Sequence, residues 1–189
     1  MQKELSEMSL EELWILFPII LIEHRNEWSE WYREENENLR KVLLDIDVIR
    51  VSHIGSTAIH AIYAKPTVDI LLEIRNKRDL NTVKTLLQDN GYACMFESET
   101  RIALNKGYTK YGFSDRVFHL HLRLAGDNDE LYFRDFMNNN NQAAKEYEQL
   151  KLMLWKQYEH DRDGYTEAKT DFVKQYTNQA KILYADRYK

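Results

Sequence analysis

Asp69, His119 and His121 are the side chains whose types and spacing point most directly to chemistry. Asp69 lies in the run Val68-Asp69-Ile70-Leu71-Leu72, and the two histidines alternate with apolar residues in Phe118-His119-Leu120-His121-Leu122. A carboxylate among apolar neighbours is costly to bury unless it is paired, hydrogen-bonded or bound to a metal. Two histidines two residues apart on a strand project to one face. Such a pair can ligate a transition metal, hold a phosphate when protonated, or move protons. The plainer readings are an Asp at a strand end satisfied by backbone amides or an arginine, and two His bonded to neighbours on a half-exposed face.

Upstream of Asp69, an apolar run ends in the turn Gly55-Ser56-Thr57. Glycine lets a ligand approach the backbone closely, and a helical turn beginning at Ser56 would aim amide donors at an anion. Gly55, Ser56 and Thr57 are therefore candidate phosphate ligands, against the simpler reading of a tight turn with Ser56 as a helix cap. Lys65, before Pro66 at the mouth of the next strand, is a candidate point charge for phosphate, although any single Lys is more often a surface residue. Arg134, Asp135, Tyr165 and Lys169 are either ligand groups, Lys169 for phosphate or nucleotide, or parts of a helix-packing ion-pair set. Packing is the better reading of Asp135, and His53 reads as a core histidine. Trp28, Trp31 and Tyr32 have helix-face spacing and are most simply core.

The elements that must position these residues are legible in outline. Ser9-Leu10-Glu11-Glu12 fits a capping box opening a short helix that Pro18 stops, with Ile19–Ile22 extended beyond it. The apolar spacing of Trp28, Trp31, Leu39 and Leu43 predicts an amphipathic helix over about 27–44. Strands are expected over 46–54 and 67–74, the second apolar at nearly every position and so buried on both faces. Asp79 is placed to cap a helix that Gly91 ends. A hairpin over 92–97 and 100–105 and an alternating strand over 117–124 follow. From Asp129 onward the pattern is helical, with a polar break at 138–141, a turn at 161–164 and a last helix from Tyr165 to about Tyr188.

Composition narrows the class. The 189 residues are 43% hydrophobic and 30% charged, the balance of an ordinary folded chain, expected here as one α+β domain over 1–189. The formal net charge of −5 argues against a dedicated nucleic-acid binder, whose affinity comes from neutralising phosphates. Cys94 is the one cysteine, so no intramolecular disulfide and no Cys-rich zinc site is available. The apolar stretch 13–22 is interrupted by Pro18 and too short to span a bilayer, and the first residues lack a signal-peptide profile. A cytoplasmic protein with no membrane partner is expected.

The runs His53-Ile54-Gly55-Ser56-Thr57-Ala58-Ile59 and Ala64-Lys65-Pro66-Thr67-Val68-Asp69-Ile70 together resemble the signature of the GrpB family, which is similar to the nucleotidyltransferase fold. The resemblance extends to Glu23-His24-Arg25-Asn26-Glu27-Trp28, to the His119/His121 strand, to Phe133-Arg134-Asp135-Phe136 and to Gly164-Tyr165-Thr166-Glu167-Ala168-Lys169. One departure is His60-Ala61, where a Pro-Gly pair is usual. The resemblance implies a mixed sheet flanked by helices, a nucleotide or phosphorylated small molecule as ligand, and a divalent metal, Mg or a His-binding transition metal, held at Asp69, His119 and His121. Nucleotidyl or phosphoryl transfer would follow, with Asp69, His119 and His121 as the catalytic group.

In nucleotidyltransferases two carboxylates, two residues apart on one strand, hold metal ions about 3.5–4 Å apart. Asp69 matches the first acid, but Leu71 occupies the second position. Glu73 shares the face, yet four residues at about 3.3 Å each put it roughly 13 Å away. The alternatives are therefore a catalytically degenerate binding or accessory module, for which the family's association with dephospho-CoA kinase suggests coenzyme A metabolism, or a metal-dependent hydrolase built on the His pair.

Overall fold

The computed structural model describes residues 3–188. Five strands form a mixed sheet: β1 (Val48–Ile54), β2 (Val68–Ile74), β3 (Ala93–Glu97), β4 (Arg101–Thr109) and β5 (Gly112–Leu124), in the order β1-β2-β5-β4-β3. β2 and β5 run parallel, and the other three pairings are antiparallel. The helices are α1 (Leu10–Leu16), α2 (Glu27–Val42), α3 (Leu80–Asp89), α4 (Asp129–Asn139), α5 (Asn141–Gln157), α6 (Arg162–Glu167) and α7 (Thr170–Tyr184). None is long and apolar enough to cross a membrane.

The period-2 alternation of β2 and β5 divides the sheet into two unlike faces. Val68, Ile70, Leu72 and Ile74 of β2 and Phe118, Leu120 and Leu122 of β5 pack against Trp28 and Leu39 of α2 and Val83 and Leu87 of α3. Each such side chain, taken fully out of water, contributes about 1.5–3 kcal/mol. The opposite face carries Asp69, Leu71 and Glu73 of β2 beside His119, His121 and Arg123 of β5, in direct parallel register. Over this face lie α4, α5 and α7, which share a second core of Phe133, Phe136, Met137, Tyr147 and Ala180. The site therefore occupies the gap between a polar strip of sheet and a helical layer with its own apolar core.

Local chemistry explains where the elements begin and end. Ser9 and Glu12 form the expected capping box at α1. Several boundaries differ from expectation. Asp79 precedes α3 without a side-chain cap, its carboxylate accepting from Asn76 Nδ2 at 3.3 Å. Asp161 caps α6 by accepting from the Gly164 amide at 2.8 Å, so the expected turn at 161–164 is the start of a helix. The long last helix is broken, because Lys169 N bonds back three residues to Thr166 O and tightens the chain before α7. β5 also starts five residues early. Its polar 114–116 segment hid a hairpin that turns at 110–111 and pairs Thr109 with Gly112.

Candidate functional site

The parallel seam between β2 and β5 brings Asp69 and both histidines together. Asp69 Oδ1 lies 3.4 Å from His119 Nδ1 and 3.5 Å from His121 Nε2. Burial alone would raise the Asp69 carboxyl, but the contacts from His119 and His121 outweigh it and hold it well below the usual carboxylate range. Burial keeps His119 below its ordinary value against the opposing pull of Asp69.

Each histidine is fixed from behind. The Arg162 guanidinium donates to the Tyr108 hydroxyl at 3.0 Å, and that hydroxyl meets His119 Nε2 at 2.7 Å. With one side of the hydroxyl occupied by a donor, its proton is directed to Nε2, which leaves the ring proton on Nδ1, facing the carboxylate. The reverse tautomer would set a nitrogen lone pair against Asp69. Arg123 approaches His121 Nδ1 at 3.4 Å, and a guanidinium only donates, so the His121 proton is on Nε2, again facing Asp69.

Gly55 closes the other side of the carboxylate. Its backbone has φ 72° and ψ −171°, a region open essentially to glycine, and a β-carbon there would lie 2.1 Å from Asp69 Oδ2. The single helical turn Ser56–Ala58 follows it. Gly55, Ser56, Lys65, Asp69, His119, His121 and Lys169 all line one cavity of about 360 Å³, together with Lys151, Arg162 and Tyr165.

Lys151 and Arg162 were not singled out from sequence. Lys151 sits at a polar step in an otherwise apolar stripe, four residues after Tyr147 and three before Leu154, and that phase was the available signal. Its side chain is buried, its ammonium donating to the Tyr63 carbonyl and lying 4.8 Å from the Tyr147 ring centroid. Among the described residues, none of Lys65, Lys151, Arg162 and Lys169 forms an ion pair with a carboxylate. Burial, reinforced by Arg162 and Lys169, brings Lys65 down to about 7. Burial and the neighbouring Lys169 and Lys65 likewise bring Lys151 down to about 7, against the pull of Glu148. Four cationic groups around one cavity, two of them destabilised as cations, form an environment that an anion would relieve.

Other candidates are placed elsewhere. The Thr57 hydroxyl is buried, donating to Thr67 O at 3.1 Å and receiving His53 Nε2 at 2.9 Å, so it faces away from the cavity. Burial brings His53 down to about 4, and its ring stacks on Tyr32. Glu73 is fully buried, ion-paired with Arg50 at 2.7 Å and accepting from Gly126 N and Asn128 Nδ2. Asp135 joins Arg134, Arg187 and Tyr188 in a network that ties α4 to the C-terminal segment.

A His-bound metal does not fit this arrangement. A metal-bound imidazole needs a free lone pair at the ion and directs its other N–H to an acceptor. His119 and His121 have the reverse pattern, with protons toward Asp69 and donors behind. Among the described residues, no group of three or more His, Cys, Asp or Glu side chains is arranged to hold an ion. The two-carboxylate arrangement is also incomplete, since Leu71 is fully buried against Ile54 and Leu131.

A mixed sheet with a Gly-Ser turn facing a carboxylate on the next strand defines a nucleotidyltransferase-like fold. The Cid1 poly(U) polymerase bound to MgATP is similar at a TM-score of 0.52 and 10% identity, over 79% of this chain and 47% of that one. The chain belongs to the GrpB family: the family described as GrpB protein matches residues 18–179. The crystal structure of conserved protein GrpB from Enterococcus faecalis is similar at a TM-score of 0.76 and 26% identity, over 87% of this chain and 99% of that one. UPF0157 protein YqkA of Bacillus subtilis is 31% identical over 164 residues, which are 85% of this chain but 47% of YqkA. Glutamate-rich protein GrpB of Alkalihalophilus pseudofirmus is 30% identical over 168 residues, 85% of this chain and 95% of that protein.

Proposed function

We propose that this chain binds a phosphorylated small molecule, foremost a nucleotide, in the cavity between the β2/β5 seam and α5–α7, and transfers a nucleotidyl or phosphoryl group to a small acceptor. The observation that carries the reading is the convergence of Lys65, Lys151, Arg162 and Lys169 on one cavity without a carboxylate partner. Ser56 and the Gly55 turn would position the phosphate. The ionised Asp69 would orient the acceptor hydroxyl, whose proton leaves to water as its oxygen bonds to phosphorus. The bond to the leaving phosphate breaks in the same step, and the cations meet the charge that develops. The similarity to Cid1 in complex with a UTP analogue supports the nucleotide reading at the level of fold. A divalent ion arriving with the nucleotide's phosphates would meet Asp69 as its carboxylate.

The test is calorimetry with ATP, CTP, GTP and inorganic phosphate, with and without magnesium. Binding that is lost in Lys65→Met supports the reading, and no heat with any of them removes it. Leu71 favours a second reading, in which the chain binds without turnover. Magnesium-dependent nucleotide turnover gained by Leu71→Asp, and absent from the parent chain, would identify a binding module on a degenerate scaffold.

A further inference from the structure

The cationic cavity opens into a second chamber of about 380 Å³ between α4 and α7, with Gly55, Glu130, Tyr147, Thr166 and Lys169 lining both. The second chamber differs in chemistry from the first. Its apolar wall is formed by Phe133, Tyr147 and Val173, and its rim includes Thr170 and Lys174 of α7. Glu130 stands at the junction. Its Oε2 is buried without a hydrogen-bond partner, while Oε1 lies 4.0 Å from the Arg123 guanidinium. The side chain is 36% exposed with Oε2 buried, so Oε1 is the oxygen that a ligand's hydroxyl or amino group can reach.

We infer that the two chambers take one ligand end to end: a nucleoside monophosphate with its phosphate among Lys65, Lys151, Arg162 and Lys169 and its nucleoside between α4 and α7, where Glu130 accepts a hydrogen bond from a sugar hydroxyl or base amine. The inference rests on the anion reading of the first cavity and adds the identity and direction of the organic part. Each chamber has the size of an ordinary small-molecule pocket, and an apolar wall with a few placed polar groups is the usual lining for a ring system. The aromatic rings of Phe133 and Tyr147 pack at 5.2 Å in an edge-to-face arrangement, a rigid wall rather than a collapsible one.

The experiment is calorimetry on the full chain with inorganic phosphate, AMP and UMP. AMP or UMP is expected to bind more tightly than phosphate by about tenfold or more. Thr170→Trp, placed on the exposed rim of the second chamber, is expected to abolish the excess while leaving phosphate affinity intact. Glu130→Gln is expected to weaken AMP while leaving phosphate affinity intact. Equal affinity for phosphate and nucleotides, or nucleotide affinity unchanged in both variants, overturns the inference while leaving the anion site standing. No binding of any of the three, with Lys65→Met without effect, overturns both.

Discussion

The backbone of Gly55 lies directly against the carboxylate of Asp69, so that a methyl group in place of its hydrogen would sit 2.1 Å from Oδ2. This contact couples the phosphate turn to the carboxylate it faces. Gly55→Ala would strain the backbone and displace Asp69 together. The expected loss is about 2–4 kcal/mol of unfolding free energy, read by urea denaturation. A loss no larger than that of an exposed Gly126→Ala control would show that Asp69 gives way freely.

Lys65 illustrates a trade between binding and stability. It has no carboxylate partner and lies beside Arg162 and Lys169, which disfavour its charge. Lys65→Met is expected to raise the Tm of the ligand-free chain by a few degrees while weakening anion binding by about tenfold. A lowered Tm with unchanged anion affinity would contradict the role given to it.

The same chemistry fixes a pH dependence. Lys65 and Lys151 titrate at about 7 in the folded chain, against an ordinary value of 10.5. Between those values the unfolded chain binds more protons, so their contribution to stability grows as pH rises from 7 toward 10. An anion acts in the opposite sense. It favours the charged ammoniums and raises their pKa, so its affinity is full below about pH 7 and falls as pH climbs above it. Urea midpoints of the free chain and phosphate titrations at about pH 6 and about pH 9 should move in opposite directions.

Tyr108 links Arg162 to His119 through one hydroxyl. In Tyr108→Phe the Nε2 atom loses the donor that holds the ring proton on Nδ1. The expected cost is about 1 kcal/mol of stability. Nitrogen NMR of the imidazole should show His119 changing from a single tautomer to a mixture. An unchanged spectrum would mean that Asp69 alone sets the tautomer.

Ala61 has φ 56°, left-handed backbone that glycine adopts more readily than alanine. Ala61→Gly removes the β-carbon strain, offset by greater freedom of the unfolded chain. Net stabilisation of about 0.5–1 kcal/mol is expected by thermal or urea unfolding. Destabilisation would indicate that the connector is held by contacts of the methyl group.

Much of this arrangement was legible before any coordinates. β2 announced itself by a run apolar at nearly every position, and β5 by alternation that put His119 and His121 on one face. Asp69 stood out because charge is rare in such company. What escaped were residues whose meaning depends on what covers them. Arg162 sits between two aspartates and reads as a solvated turn, and Lys151 resembles any helical lysine until α6 and Tyr147 enclose it. Thr57 was the reverse case: its hydroxyl looked free for phosphate, but His53 and the Thr67 carbonyl, neighbours only after folding, occupy it. Local pattern reports faces and periods, while the partners across the gap are set by tertiary packing.

The parallel pairing of β2 with β5 has a consequence for the order of assembly. β3, β4 and β5 form a meander of neighbouring hairpins, and β1 and β2 pair with only a short connector between them. Both units close short loops and should gather quickly. Their junction joins Asp69 to His119 across fifty positions of chain, a slower kind of contact to form. The site is thus built on a join between two faster-folding halves, and binding competence should appear in refolding only after that join has formed.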